Sequence, residues 1–286
     1  MNARPLRKSY SPLVDAMMIS TKQETPLAAI RVKVRELLKQ ANVESVPVQI
    51  KPLCTARGIK RIFSHDIEWD ARLFPAPDGY SICINRQYYD LYHEKAHTRF
   101  SICHEIAHTF FLELETSNLG WRAGTNYDFR LWYAQEEILC NRAAGEMLVP
   151  TEKLKSMTMD IWNPFFLAEY FKVSKEVIFR RLSEIMVPNI VIAFLKPLRD
   201  ADWHLKGFQV DWCKAENGLK YVFPPGKVLP SEGPVASVYD KNKSLSWEMI
   251  YSDKGKERYL KMYAIKKREN EEKWAKEGVV VLGICK

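Results

Sequence analysis

The sequence predicts an α+β protein whose two parts have different residue patterns. Residues before about 188 show mainly helical periodicity, with short strand-like runs only at 59–63 and 80–86. Beyond that point, six short β-like runs alternate with Gly, Pro, Asp and Asn, and one helical segment over 268–278 precedes the last strand. We therefore expect a domain boundary near 187–190.

Helices dominate the first part. Apolar residues at 27, 30, 34, 37, 38 and 41 lie on one face of a helix that begins near Pro26, and a short helix over 53–58 ends at Gly58. Residues 1–25 lack a clear period and are expected to form a tail or a peripheral strand. The remaining predicted helices cover about 99–112, 132–149, 164–172 and 174–186.

Composition excludes several classes of protein. The chain of 286 residues is 47% hydrophobic and 12% aromatic, which argues against disorder. It has no apolar run of the roughly 20 residues that span a bilayer, and its N-terminus lacks the apolar core of a secretory signal. Six scattered cysteines without a CxxC pair are typical of reduced thiols, so we expect a cytoplasmic protein. The net charge of +8 permits an acidic or nucleic-acid partner, but a solvated basic surface is the favoured explanation.

The stretch RFSICHEIAHTFF, residues 99–111, contains an HExxH motif. His104 and His108 are four residues apart and therefore lie on the same face of a helix, where both imidazoles can bind one ion. Glu105 lies beside a water that such an ion would hold, and it can act as the general base. The alternative is a buried histidine pair that only forms hydrogen bonds within a core.

A second polar pattern favours the metal site. The segment YAQEEILCNRAAGEMLVP, residues 133–150, carries Glu137 and, one turn later, Asn141. Glu137 can supply a third ligand and leave a fourth position open, while Asn141 can orient a histidine ligand. Glu136 is an alternative, but only Glu137 has the four-residue spacing to Asn141. Two histidines and a carboxylate suit one divalent ion, for which zinc is favoured and manganese is an alternative.

Together, RFSICHEIAHTF and the later E-x-x-C-N-R-A-A-G-E-M-L-V-P resemble the motifs of the ImmA/IrrE family of bacterial and phage metallopeptidases. The resemblance covers about residues 26–187 and implies a zincin-like metallopeptidase domain over 1–160. It also implies metal ligands at His104, His108 and Glu137, a general base at Glu105, and a match of Asn141 to the family's Asn or Asp. The sequence departs from the family pattern at Cys140, Ala143, Gly145 and Glu146.

The family layout extends to two further regions. Residues 161–187 contain LAEYFKVSKEVIFRRLSEI, which has the rhythm of a helix-turn-helix, and Lys175, Arg180 and Arg181 could meet phosphates there. Because neighbouring glutamates nearly cancel this charge, a packing or repressor-docking role is favoured over DNA binding. Residues 188–286 are expected to be β-rich, and in some relatives the corresponding region is a GAF-like domain that senses a signal.

Other polar candidates are weaker. His93 and His97 are also four residues apart, but charged neighbours suggest that they are exposed, although His97 could border the cleft. Tyr127 and Tyr133 lie in or near a long predicted loop over 115–128. Either hydroxyl could stabilise an oxyanion, although packing roles explain both tyrosines as well.

The first functional hypothesis is a zinc-type metalloendopeptidase. By the family resemblance, it would cleave a helix-turn-helix transcriptional repressor and so derepress a stress or mobile-element response. The alternative is a regulatory protein with a non-catalytic metal site that binds DNA or a repressor. Glu105 argues against this alternative, since a structural site needs no base beside its ligands. A hydrolase of small amides is a third possibility.

Overall fold

The computed structural model describes residues 10–89, 95–117, 129–157, 163–185, 189–215, 219, 222–253, 256–267 and 278–285. The chain divides into two compact units. The first unit comprises Met1–Trp162 and Phe166–Ser174, and the second comprises Asn163–Phe165 and Lys175–Lys286. The two segments of the predicted helix-turn-helix therefore fall mainly in different units.

The first unit combines helices with a small sheet. Its elements, in chain order, are α1 (Pro12–Thr21), α2 (Pro26–Gln40), α3 (Ile50–Ala56), β1 (Ile59–His65), β2 (Ala71–Ala76), β3 (Gly79–Asn85), α4 (Ala96–Ser117), α5 (Phe129–Leu148), α6 (Thr151–Lys155) and most of α7 (Pro164–Phe171). Helix α4 packs against α5 and also against β2 and β3. The α+β prediction is thereby confirmed.

Helix α1 lies where the sequence pattern led us to expect a tail. Ser11 caps it, because its side chain accepts a hydrogen bond from the backbone N–H of Val14 at 3.2 Å. Only Val14 and Met17 of this helix are fully buried, so its apolar pattern is too short to stand out from the sequence. The backbone N–H of Ser11 also donates to Oε1 of Gln135 at 2.8 Å, which ties α1 to α5.

The three-stranded sheet has the order β1-β3-β2, with β1 parallel and β2 antiparallel to β3. The sequence pattern predicted β1 and β3 but assigned part of β2 to a turn, because Pro75 usually interrupts a strand. The N–H of Asn85 donates to the carbonyl of Asp70 at 2.9 Å. This register directs the backbone groups of residues 72, 74 and 76 toward β3 and those of 71, 73 and 75 away from it. Pro75 therefore removes no ladder hydrogen bond.

The second unit contains α8 (Lys175–Ile185), β4 (Ile190–Arg199), β5 (Leu205–Ala215), β6 (Val228–Pro230), α9 (Pro234–Lys241), β7 (Leu245–Asp253), β8 (Lys256–Lys267) and β9 (Gly278–Cys285). The strands form one antiparallel sheet in the order β6-β5-β4-β9-β8-β7. Helix α9 and this sheet share one hydrophobic core. It contains Val235 and Val238 of α9, Phe208 of β5 and Val281 of β9.

Three expectations for this unit have different outcomes. A strand was expected over 219–225, but the described residues of that run form none, and α9 was not expected. The predicted helix over 268–278 lies outside the described residues, apart from Gly278, which begins β9. The GAF-like interpretation stays a prediction.

The structure corrects the role suggested for Arg181. Its side chain is 1% exposed and forms an ion pair with Glu184, one turn later on α8. Lys175 donates to Oγ of Ser244 at 3.0 Å and lies over the ring of Phe165. Arg181 is therefore an internal cation that cannot reach a phosphate. A sequence pattern does not reveal this, because arginine is usually exposed.

No helix among the described residues combines the length and the apolar character that crossing a membrane requires.

Gly79 begins β3 with φ of +149°, and a Cβ at this position would overlap the carbonyl oxygen of Gly58. Gly58 also has a positive φ of +69°, but a Cβ there would meet open space. We expect Gly58→Ala to lower the free energy of unfolding by about 1 kcal/mol, through backbone strain alone. Gly79→Ala adds overlap to strain and should cost roughly 3 kcal/mol. Chemical denaturation of the two variants tests this order, and equal losses would contradict it.

Candidate metal centre

The centre lies between α4 and α5. His104 and His108 occupy successive turns of α4, and their Nε2 atoms are 3.1 Å apart. Glu137 approaches from α5, with Oε2 3.1 Å from Nε2 of His104 and Oε1 3.3 Å from Nε2 of His108. Three side chains from two helices therefore converge on one point.

The structure brings Glu137, rather than Glu136, to the histidines. Oε1 of Glu136 instead accepts a hydrogen bond at 3.2 Å from Oγ of Ser11, the residue that caps α1. Neighbouring residues on a helix point about 100° apart, so the carboxylates of Glu136 and Glu137 cannot both contact the two imidazoles. Glu136 contributes to the attachment of α1, and Glu137 faces the imidazoles.

The next turn of α5 orients both rings. Oδ1 of Asn141 lies 3.2 Å from Nδ1 of His104 and accepts a hydrogen bond from it. Sγ of Cys140 lies 3.5 Å from Nδ1 of His108. A proton on each Nδ1 leaves each Nε2 with a free lone pair, which is the form that binds a metal. Burial raises the pKa of the Cys140 thiol well above its ordinary value, so this sulfur stays protonated.

The donor set fits a divalent cation. With the proton of each ring on Nδ1, the two Nε2 lone pairs would face each other and repel. Oε1 of Glu137 is buried without a hydrogen-bond partner among the described residues. Ligands at about 2.0–2.1 Å in a tetrahedral zinc site lie about 3.3 Å from one another. The three separations of 3.1, 3.1 and 3.3 Å are close to this value. A cation would therefore relieve the repulsion and satisfy the buried oxygen.

Burial and the neighbouring groups shift the pKa values of Glu137 and His104 in opposite directions. Burial by itself raises the pKa of the Glu137 carboxyl, but hydrogen bonds and charges that His104 and His108 supply when they are protonated hold that pKa well below its ordinary value. Burial lowers the pKa of the His104 imidazole, yet Glu137, Glu105 and Asn141 together outweigh this effect and the pKa is raised overall. The protein thus stabilises positive charge at this point.

Glu105 lies beside the ligands without joining them. One of its carboxylate oxygens and the ring nitrogens of His104 and His108 all lie within 4.8 Å of one another. Glu105 is 7% exposed, and its Oε2 accepts a hydrogen bond at 2.7 Å from the backbone N–H of Leu73 in β2. Burial raises the pKa of the Glu105 carboxyl, although His108, His104 and the Leu73 N–H partly offset the rise. A desolvated carboxylate of this kind is a good proton acceptor.

Two of the weaker candidates also lie near the centre. Burial, together with the charge of Glu137 and a hydrogen bond to its carboxylate, raises the pKa of the Tyr133 phenol. The residue is nevertheless 62% exposed, so its ring borders solvent. His97, on the same face of α4 as His104, lies 3.3 Å from Oδ2 of Asp70. Tyr127 and His93 lie outside the described residues.

Two contributors were not found from the sequence. The Leu73 N–H is a backbone group in a strand that the pattern missed, and no sequence signal marks it. In the sequence, Cys140 stands out only as a departure from the family's Ala. Its position directly before Asn141 places it one turn from Glu136, and its sulfur lies close to His108.

Comparison with known proteins agrees with this geometry. The family model of the IrrE N-terminal-like domain of the M78 peptidases matches residues 54–183. Residues 54–183 are an IrrE N-terminal-like domain. The resemblance of the two motifs to the ImmA/IrrE metallopeptidases is thereby confirmed. The IrrE-like domain contains every residue of the centre described above, from Leu73 to Asn141.

Similarity in structure extends beyond the IrrE-like domain. A solved Mycobacterium tuberculosis transcriptional regulator matches with a TM-score of 0.53 at 13% sequence identity. The match covers 96% of this chain and 79% of the regulator, so the two share a fold. No curated protein sequence matches the chain significantly.

Asn141→Ala removes the acceptor for Nδ1 of His104 and lets the ring rotate or change tautomer. We expect the affinity for zinc to fall about 10- to 100-fold, as is usual when a ligand loses its hydrogen-bond partner. Competition of the purified protein with a chromophoric chelator measures the affinity. Asn163→Ala, a substitution in the second unit, is the control and should retain the affinity of the unaltered chain. An Asn141→Ala affinity equal to that of the control would contradict the prediction.

Proposed function

We propose that the protein is a metal-dependent endopeptidase in which His104, His108 and Glu137 hold one divalent ion, preferably zinc and alternatively manganese. The observation that carries this proposal is the convergence of these three side chains beside Glu105, which is held apart from them by β2. A structural zinc site would use all four positions for protein ligands. Here two imidazoles and one carboxylate leave a position open, as in hydrolytic sites.

Each residue has a distinct task in peptide hydrolysis. An ion in this site would polarise the scissile carbonyl and lower the pKa of a water. Glu105 takes the proton of the attacking water through its raised basicity and delivers it to the nitrogen of the leaving amine. Asn141 and Cys140 hold the tautomer and orientation of the two histidines. The Tyr133 hydroxyl, beside Glu137, can donate a hydrogen bond to the developing oxyanion.

The substrate class follows from the family. We propose that the protein cleaves a helix-turn-helix transcriptional repressor and thereby derepresses a stress or mobile-element response. The regulatory setting is also supported by the structural similarity to a protein named a transcriptional regulator. We place the reaction in the cytoplasm, since the six cysteines are free. The second unit would serve as a GAF-like sensory domain.

The alternative is a regulator that acts by binding alone and keeps a non-catalytic metal site. The name of the structural neighbour favours it. The burial of Arg181 and the hydrogen bond of Lys175 argue against DNA binding through α8, because both cations are already used internally. The position of Glu105 argues against a non-catalytic centre.

Glu105→Gln separates the two functions. It removes the base but keeps the shape of the side chain, so we expect zinc content to be unchanged and cleavage to fall by 10²-fold or more. The assay is cleavage of a helix-turn-helix repressor encoded beside the gene, followed by gel electrophoresis and mass spectrometry of the products.

Glu113→Gln, on the same helix with an exposed carboxylate, is the matched control. It should cleave the repressor at the rate of the unaltered chain. If the Glu105→Gln protein cleaved equally well, or relieved repression fully in cells, the peptidase proposal would be wrong.

A further inference from the structure

The Glu105 carboxylate could turn toward the two histidines and their ion or toward the backbone of β2, and in the structure it bonds to β2. Its carboxylate is buried and lies within 4.8 Å of the ring nitrogens of His104 and His108, where a metal or a charged imidazole would attract it. It bonds instead to the Leu73 N–H at 2.7 Å. Among the described residues this N–H is the only hydrogen-bond donor to Glu105.

We propose that the backbone N–H of Leu73 is the positioning group of the centre, which keeps Glu105 a base rather than a fourth metal ligand. The inference rests on the proposed peptidase function. It explains why two glutamates at one site have different roles. Glu137 has a buried oxygen without a hydrogen-bond partner among the described residues, whereas Glu105 has one oxygen fixed by the strand.

The register of β2 makes this N–H available. Leu73 pairs with Ile82 of β3, and it is at one of the positions whose backbone groups point away from β3. Ala71 and Pro75 occupy the equivalent positions on either side. Only Leu73 combines an outward N–H with a place opposite Glu105. A shift of one residue in this register would turn the N–H of residue 73 toward β3 and leave the buried carboxylate unpaired.

The same register supplies a clean test. Leu73→Pro deletes the N–H that holds Glu105 but no hydrogen bond between β2 and β3. The natural Pro75, at the equivalent position two residues later, also lacks an N–H and leaves these hydrogen bonds intact. Ala71→Pro deletes the neighbouring outward N–H, which does not bond to Glu105, and is the matched control. We expect Leu73→Pro to lower kcat about 10- to 100-fold with KM unchanged, the usual consequence of a misplaced catalytic group. Ala71→Pro should keep kcat within about twofold of the unaltered chain.

A measurement without turnover tests the hydrogen bond itself. In the full-length protein, the Leu73 amide should exchange with deuterium far more slowly than the Ala71 amide, and Glu105→Ala should abolish this protection. Both results would support the inference. Rapid exchange of the Leu73 amide in the unaltered chain would overturn it, and so would equal kcat values for Leu73→Pro and Ala71→Pro.

These outcomes are distinct from a failure of the proposed function. If the unaltered chain cleaved no repressor, the peptidase proposal would fail. The exchange experiment alone would then decide whether the Leu73 N–H binds Glu105. If Leu73→Pro does not fold, as judged by circular dichroism, the exchange rates of the unaltered chain and of Glu105→Ala still decide the inference.

Discussion

The convergence of His104, His108 and Glu137 is the interaction on which the rest of the centre depends. In the tautomer with both Nδ1 atoms protonated, two Nε2 lone pairs 3.1 Å apart, next to a buried carboxylate oxygen, are unfavourable without a cation between them. The surrounding elements nevertheless hold this arrangement. Because an ion would satisfy all three groups at once, the cluster is best understood as a preformed binding site.

Three kinds of support maintain the site. Helix α5 carries Glu137 and, next to each other, the two residues that orient the histidines. Helix α1 engages Glu136 and Gln135 and so fixes the rotation of α5 about its axis. Small, fully buried side chains on the packed helices, such as Ala107, Ala143 and Ala144, are consistent with a close approach of α4 and α5. Nothing in the structure explains why Ala143 stands where the family pattern has Phe.

Side-chain chemistry could be predicted from the sequence, and backbone chemistry could not. The spacing of His104, His108, Glu137 and Asn141 follows from helical periodicity, and the structure brings these residues together. The N–H of Leu73 has no such signature, because any residue at position 73 except proline would carry it. Its role depends on a strand register and on the packing of β2 against α4, which are tertiary properties.

Burial explains the remaining differences. The sequence predicts a surface cation at Arg181 because arginine is usually exposed, but Arg181 is buried beside Glu184 on α8. Helix α1 has only two buried residues, which is too weak a pattern to predict a helix from the sequence. In both cases, the deciding factor is which face of an element is covered, and a single sequence does not contain that information.

The central claim is that one ion binds between α4 and α5. Zinc-edge X-ray absorption of the purified protein tests it most directly, with elemental analysis of the same sample. The account predicts about one zinc per chain, with two imidazole nitrogens and carboxylate oxygen at about 2.0–2.2 Å, and no zinc in His104→Ala. Zinc bound equally by His104→Ala, or a shell of sulfur ligands, would contradict it.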